Sequence, residues 1–381
     1  WLKPFWLKQF WSKEGGRASF FSQRRQQGSA GSYPPRLMMR TAVLLVALCS
    51  SGRAEKVCPP LSTPFAAQEL FAFDPPSGLE GWKQILQLDP APTTIASFEV
   101  ITAEMVCAAH AVGVRVVHCI DFGGDLTNAT VRTKWVEDQV SAIAATGIDG
   151  FNVDVEGNSA HRNELTELIA ELRNKTRAAN PHSQLSFDLA WTPQGREGGY
   201  DYPALAKLLD FIVPMDYDEV QGLHASANSP MGNLVSGIAG YKAVGIDASQ
   251  LVIGLPWYGY DFPCKTTTKW ADCMWPAWSE VHQVGYMSAN ETALQSGSRT
   301  DAATVTVYTD YMVNGTRHQT WFDNPTTLAA KYEKARLLGA RGIAMWTAGE
   351  VNYSKPQGQD MWRAMSSFFR KSLAEETHIH I

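Results

Sequence analysis

The sequence predicts a closed barrel of eight parallel strands alternating with helices, a (β/α)8 barrel, with a small α+β insertion after the seventh strand. Three observations lead there. Eight short runs rich in β-branched and aromatic residues recur between Leu70 and Trp346. Most are almost continuously apolar, as strands covered on both faces must be. Stretches with helical periodicity lie between them, and one connection is far longer than the others.

The strands are expected at Leu70–Phe73, Thr94–Phe98, Val114–His118, Gly150–Val155, Leu185–Trp191, Phe211–Met215, Leu251–Trp257 and Gly342–Trp346. Between the fourth and fifth, Leu165, Leu168, Ile169 and Leu172 fall on one face of a helix over Arg162–Ala179. Val136, Val140 and Ile143 do the same over Thr133–Ala145. A third helix, Thr327–Leu338, precedes the eighth strand, and a last one uses Trp362, Met365, Phe368 and Phe369. The first link is short and holds Pro75, Pro76, Pro90 and Pro92, so its helix is expected to be reduced or missing. The long connection, residues 261–323, contains Trp270, Trp275, Trp278 and the alternating run Thr304–Tyr308. Its aromatic content fits a folded insertion walling one side of a cleft on the barrel's C-terminal face.

The 381-residue chain is 45% hydrophobic and 19% charged. That usage excludes collagen-like, coiled-coil and wholly disordered classes. A net charge of -5 gives no electrostatic reason to expect nucleic acid as a partner. No apolar run reaches the ~20 residues a membrane-spanning helix needs, and no membrane partner is expected. The chain opens on Trp1 and runs through a basic stretch. Met38, Met39 and Arg40 follow, then the apolar run Thr41–Cys49 and mostly small residues to Ala54. Residues 38–54 therefore read as a secretory signal peptide cut after Ala54, or alternatively between Ser51 and Gly52, and residues 1–37 as untranslated or gene-model sequence in preference to a genuine basic extension. Nine Lys/Arg and one acid fall within residues 1–54, so the remaining 327 residues carry -13. Residues 55–381 are read as the barrel domain.

Cysteine usage agrees with export. Five cysteines follow the cut, with Cys264–Cys273 the first disulfide expected and Cys58–Cys107 the second, leaving Cys119 as a spare, buried residue. N-x-S/T glycosylation sequons stand at Asn128, Asn174, Asn290, Asn314 and Asn352.

The chemistry concentrates in Ile148–Glu156. In an extended strand Asn152, Asp154 and Glu156 share one face, while Phe151, Val153 and Val155 share the other. Inside a barrel the polar face points inward and delivers Glu156 to the C-terminal mouth. Two carboxylates two positions apart resist ionising together, which raises the pair's affinity for a proton. A carboxylic acid held protonated near neutral pH can donate to a leaving oxygen. There is no H-E-x-x-H, G-x-S-x-G, Walker loop or G-x-G-x-x-G, and no metal or cofactor is expected.

The segment Asp149-Gly-Phe-Asn-Val-Asp-Val-Glu156 resembles the DGxxxDxE signature of glycoside hydrolase family 18. Further likenesses follow in order: Phe187–Trp191, Met215–Asp218, Gly254–Asp261, Trp321–Pro325 and Gly342–Trp346. The resemblance runs from about Phe71 to Trp362. It implies that Glu156 is the general acid and then the base, that Asp154 holds the substrate's 2-acetamido N–H, and that Asp149 stands behind it in a carboxylate ladder. Many members carry Asp where this chain has Asn152. By the same resemblance Tyr217 bonds the acetamido oxygen, Asp218 contacts the sugar or tunes Glu156, and Trp346 is the stacking floor; Met215, as an adaptable apolar side chain, is read as packing under the cleft. Trp191, Trp257 and Tyr258 are either cleft walls or core.

The family is a substrate-assisted exception to the two-carboxylate scheme, so the acetamido oxygen itself attacks the anomeric carbon. The expected activity is retaining hydrolysis of the β-1,4 bond between two N-acetylglucosamines, in the chitobiose core of free N-glycan fragments or in chito-oligosaccharides, releasing reducing-end GlcNAc. Action on polymeric chitin, internal N-glycan cleavage, or binding without turnover remain alternatives. A monomer is expected, in the lysosome or secreted.

Overall fold

The computed structural model describes residues 57–157, 159–194, 199–220 and 222–370. The segments read as upstream extension and signal peptide lie outside them.

Eight parallel strands close a barrel: β1 Glu69–Phe73, β2 Thr94–Ser97, β3 Arg115–Ile120, β4 Gly150–Val153, β5 Gln184–Ala190, β6 Phe211–Met215, β7 Val252–Pro256 and, after the insertion, β13 Gly342–Trp346. Their order around the barrel is β1-β13-β7-β6-β5-β4-β3-β2. A two-residue period sorts every strand. Phe71, Phe73, Val117, Phe211, Val213, Val252 and Ala344 fill the interior. Phe151, Val153, Leu185, Phe187, Leu189, Ile253, Leu255 and Ile343 point outward to the helices. Both sets are buried, which is why the strands read as unbroken apolar runs.

The helices cover the outer face. In the helix Arg162–Ala179, Leu165, Leu168, Ile169 and Leu172 are all buried. Helix Ala129–Thr146 starts where the Asn128 side chain accepts the N–H groups of Thr130 and Val131, and ends at Gly147 in the left-handed region. Helix Pro325–Leu337 opens with a reciprocal cap between Asn324 and Thr327. The proline-rich first link keeps a short helix, Gly78–Ile85.

The insertion is a five-stranded antiparallel sheet of order β10-β11-β12-β8-β9. Its strands are β8 Tyr258–Cys264, β9 His282–Gly285, β10 Ser298–Asp301, β11 Thr306–Val313 and β12 Thr316–Phe322, with a helix over Tyr286–Ser296. It thus begins three residues before the expected boundary. Cys264–Cys273 and Cys58–Cys107 form disulfides, and Cys119 is free and buried. The buried Arg317 ties down the Cys264–Cys273 loop, donating to the carbonyls of Thr266, Ala271 and Asp272 and pairing with Asp310 at 3.1 Å. Asn128, Asn174, Asn314 and Asn352 are exposed and Asn290 is half-buried. Among the described residues no helix is long and apolar enough to cross a membrane.

Candidate active site

The C-terminal ends of the strands carry the polar residues. β4 stops at Val153, and Asp154 and Glu156 follow it, both half-buried. The backbone N–H of Asp154 still donates to Ile120 O on β3 at 2.9 Å, so the segment leaves the barrel in line with its strand. Gly150 lets β4 begin. Its φ is +149°, and a Cβ there would sit 1.9 Å from Gln184 O on β5.

β6 ends at Met215 and delivers Tyr217 and Asp218. Tyr217 keeps the inward parity of Phe211, Val213 and Met215. Its ring stacks beside that of Trp346, with centroids 6.3 Å apart and planes at 26°. Trp346 closes β13 and is half-buried, braced edge-on by Phe73 at 5.2 Å and Phe98 at 5.7 Å. Burial, then the negative field of Asp188, Asp154, Asp218 and Glu156, holds the Tyr217 hydroxyl well above the usual phenol range. The phenol therefore stays protonated, an O–H donor within the field of four acids.

Asp218 sits at φ +59°. Its N–H donates to Asn228 Oδ1 at 2.7 Å, and Asn228 Nδ2 donates to Tyr258 O at 3.2 Å. Its Oδ1 accepts the hydroxyls of Tyr258 and Tyr260, each at 2.5 Å. Both tyrosines come from β8, so the insertion fixes a carboxylate of the barrel. Asp74, just past β1, accepts the Ser97 hydroxyl and the Phe98 N–H, both at 2.9 Å. Burial raises its proton affinity.

Beneath the mouth, Asn152 is wholly buried. Its Nδ2 donates to Asp188 Oδ2 at 2.6 Å, and its Oδ1 accepts the Ser186 hydroxyl at 2.6 Å. Nδ2 also lies 3.8 Å from Cys119 Sγ. Among the described residues no cluster of His, Cys, Asp and Glu is arranged to hold a metal ion.

The sequence profile described as Glycosyl hydrolases family 18 matches residues 116–350. The chain belongs to this family. It is 34% identical over 311 residues to the probable di-N-acetylchitobiase 1 of Dictyostelium discoideum, covering 73% of this chain and 83% of that protein. It is 32% identical over 329 residues to the di-N-acetylchitobiase of Rattus norvegicus, covering 78% and 87% respectively. In fold it resembles a family 18 chitinase from Cycas revoluta solved with (GlcNAc)3, with TM-score 0.67 at 15% identity, covering 79% of this chain and all of that one.

As a member of family 18 the protein is a glycosidase. Its fold brings Asp154, Glu156, Tyr217, Asp218, Tyr258, Met215 and Trp346 to one mouth, with Asn152 below them. Three residues lie elsewhere, and these are corrections. Asp149 precedes β4 at the opposite end of the barrel and is not part of the carboxylate ladder. Its oxygens accept the N–H groups of Leu61 at 2.6 Å and Val116 at 2.7 Å, and His110 Nε2 lies at 2.9 Å. Trp257 follows the outward parity of Ile253 and Leu255. It is fully buried, donates Nε1–H to the Tyr332 hydroxyl at 3.1 Å, and packs edge-on against Trp362. Trp191 continues the outward parity of Leu189 and abuts Gly237 of the helix Met231–Ala243, where a Cβ would meet its carbonyl at 2.3 Å. Sequence reasoning missed Asp188, Asp74, Tyr260 and Asn228. Asp188 left a signal, a lone acid of inward parity in the apolar run Leu185–Ala190. Asn228 lies in a polar loop and left none.

Proposed function

We propose that the protein hydrolyses the β-1,4 bond of a terminal N,N′-diacetylchitobiose unit, in free N-glycan fragments or short chito-oligosaccharides, and releases reducing-end GlcNAc. The observation that carries this reading is the Tyr217 ring stacked beside Trp346 at the strand ends, with Asp188, Asp154, Asp218 and Glu156 near enough to act electrostatically on the Tyr217 hydroxyl. The likeness to proteins named di-N-acetylchitobiase supports the substrate.

Glu156 protonates the leaving oxygen. The acetamido oxygen attacks the anomeric carbon from the opposite face, giving an oxazolinium-type intermediate and the proton-depleted Glu156. Tyr217 donates to that acetamido oxygen and Asp154 accepts the amide N–H, so the group is held for attack. Such prepaid orientation is worth ~7 kcal/mol or more in favourable systems. Glu156 then takes a proton from the water that opens the intermediate, and the configuration is retained. Trp346 supplies the apolar surface for the pyranose. The two disulfides, with the signal peptide that the sequence leads one to expect, support a lysosomal or extracellular setting.

The test is incubation with a free glycan ending in GlcNAc-β1,4-GlcNAc at acidic pH, with products read by mass spectrometry and anomeric NMR. Release of one reducing-end GlcNAc with retention is expected. Internal cleavage of long chitin would replace the substrate assignment. Glu156→Gln should lose turnover and keep binding, and an undiminished rate in that variant would refute the role of Glu156.

A further inference from the structure

β4 and β5 are parallel neighbours with Asn152 opposite Ser186. Two residues further along each chain, Asp154 and Asp188 reach the same height on the same inward side. Adjacent strands lie about 4.8 Å apart, so the two carboxyl groups are lateral neighbours. Asp188 is 3% exposed. Its Oδ2 accepts Asn152 Nδ2–H at 2.6 Å, and its Oδ1 is buried with no hydrogen-bond partner among the described residues. The orientation of Asn152 is settled by Ser186, whose hydroxyl occupies Oδ1 and leaves the amide nitrogen to face Asp188.

A sealed, unmatched carboxylate oxygen is costly, and a proton on it removes the cost. Burial first, then the negative charge of Asp154 and, less, that of Glu156, drive the proton affinity of Asp188 well above the usual range against the opposing Asn152 hydrogen bond. A protonated Oδ1 becomes a donor, and Asp154 is the carboxylate at the same height on the neighbouring strand.

We propose that Asp188 is a positioning residue that shares one proton with Asp154, holding that side chain in place while Asp154 accepts the substrate amide. The inference rests on the mechanism above. The sequence has Asn152 where many family members have Asp, and β5 returns an acid to the interior one strand away. No covalent bond changes. The proton stays between the two carboxyl groups, the pair keeps a single negative charge, and Glu156 is spared a second full charge beside it.

The direct test is carbon-13 NMR titration of the full-length protein with labelled aspartate carboxyls, Asp188 being assigned by its loss in Asp188→Asn. Asp188 should stay protonated well above the ordinary Asp value near ~4, and its titration should move in Asp154→Asn. A titration near ~4, or one indifferent to Asp154→Asn, overturns the proposal. This readout needs no turnover, so its failure is separable from failure of the hydrolytic reading. Kinetics supply the second measurement. Asp188→Asn still offers an N–H donor and should keep kcat within about threefold, whereas Asp188→Leu should lower it by about 50-fold or more. Equal losses in the two variants, or none in Asp188→Leu, overturn the proposal as well.

Discussion

Asp216 gives the protein a measurable pH signature through Asp216→Asn. The carboxyl is 2% exposed, accepts the Ser229 hydroxyl at 3.0 Å, and lies between the site residue Met215 and Tyr217. Burial pushes its pKa up from 3.8 to about 6, with Asp323 adding to the rise and Glu219, Ser229 and Lys331 opposing it. The folded chain therefore holds this proton more tightly than the unfolded chain. Below pH ~4 both states are protonated and the full benefit is present. As pH rises through ~6 the folded state must release the proton and the benefit is lost. A displacement of roughly two pH units corresponds to about 3 kcal/mol. Asparagine cannot ionise and can still accept the Ser229 bond, so the variant has no such loss. Unfolding free energies from urea titrations at pH 4, 5, 6 and 7 should show the variant gaining about 3 kcal/mol on the wild type across that range. A difference that stays constant with pH, or falls, would refute the reasoning.

Lys331 is wholly buried, with Nζ 2.7 Å from both oxygens of the buried Asp323. Lys331→Met should cost about 3–5 kcal/mol in chemical denaturation, and the double variant with Asp323→Leu distinctly less, because the single change strands a charge. Tyr258→Phe and Tyr260→Phe each leave the other hydroxyl on Asp218 Oδ1. Each should lower kcat/KM only severalfold, while the double variant should fall by more than the product of the two; purely multiplicative losses count against shared support. Removing Cys58–Cys107, whose partners are 49 residues apart, should cost about 4 kcal/mol in the chain-entropy account. The corresponding loss for Cys264–Cys273, 9 residues apart, is about 3 kcal/mol, and a reversed order in melting experiments would contradict that account.

The barrel was legible because its strands are buried on both sides and so spell continuous apolar runs. Phe211–Met215 and Gly342–Trp346 were located to the residue for that reason. The insertion was harder. β8 follows β7 after Trp257 alone and shares its apolar composition, which hid the boundary. β9 and β10 are the two edges of the sheet, open to solvent, and sequences such as His282–Gly285 and Ser298–Asp301 carry no strand pattern. Within the site, parity decides most placements. Glu156, Asp154, Asn152, Tyr217 and Trp346 keep the inward phase of their strands. Asp149, Trp191 and Trp257 have the opposite phase, so the two-residue alternation already separates them from the interior. Asp188 has the inward phase as well, but stands alone in an apolar run outside the β4 motif. Asn228 acts through loop geometry, which no periodicity encodes.

The pair of hydroxyls that crosses from β8 to Asp218 ties the accessory lobe to a carboxylate that the proposed mechanism places at the reaction centre. A chimera that borrows this lobe from a relative would inherit a working carboxylate only if the graft carries Tyr258 and Tyr260 in register. Diversity in the tip of the lobe is free to accumulate, whereas its root is bound to the chemistry below.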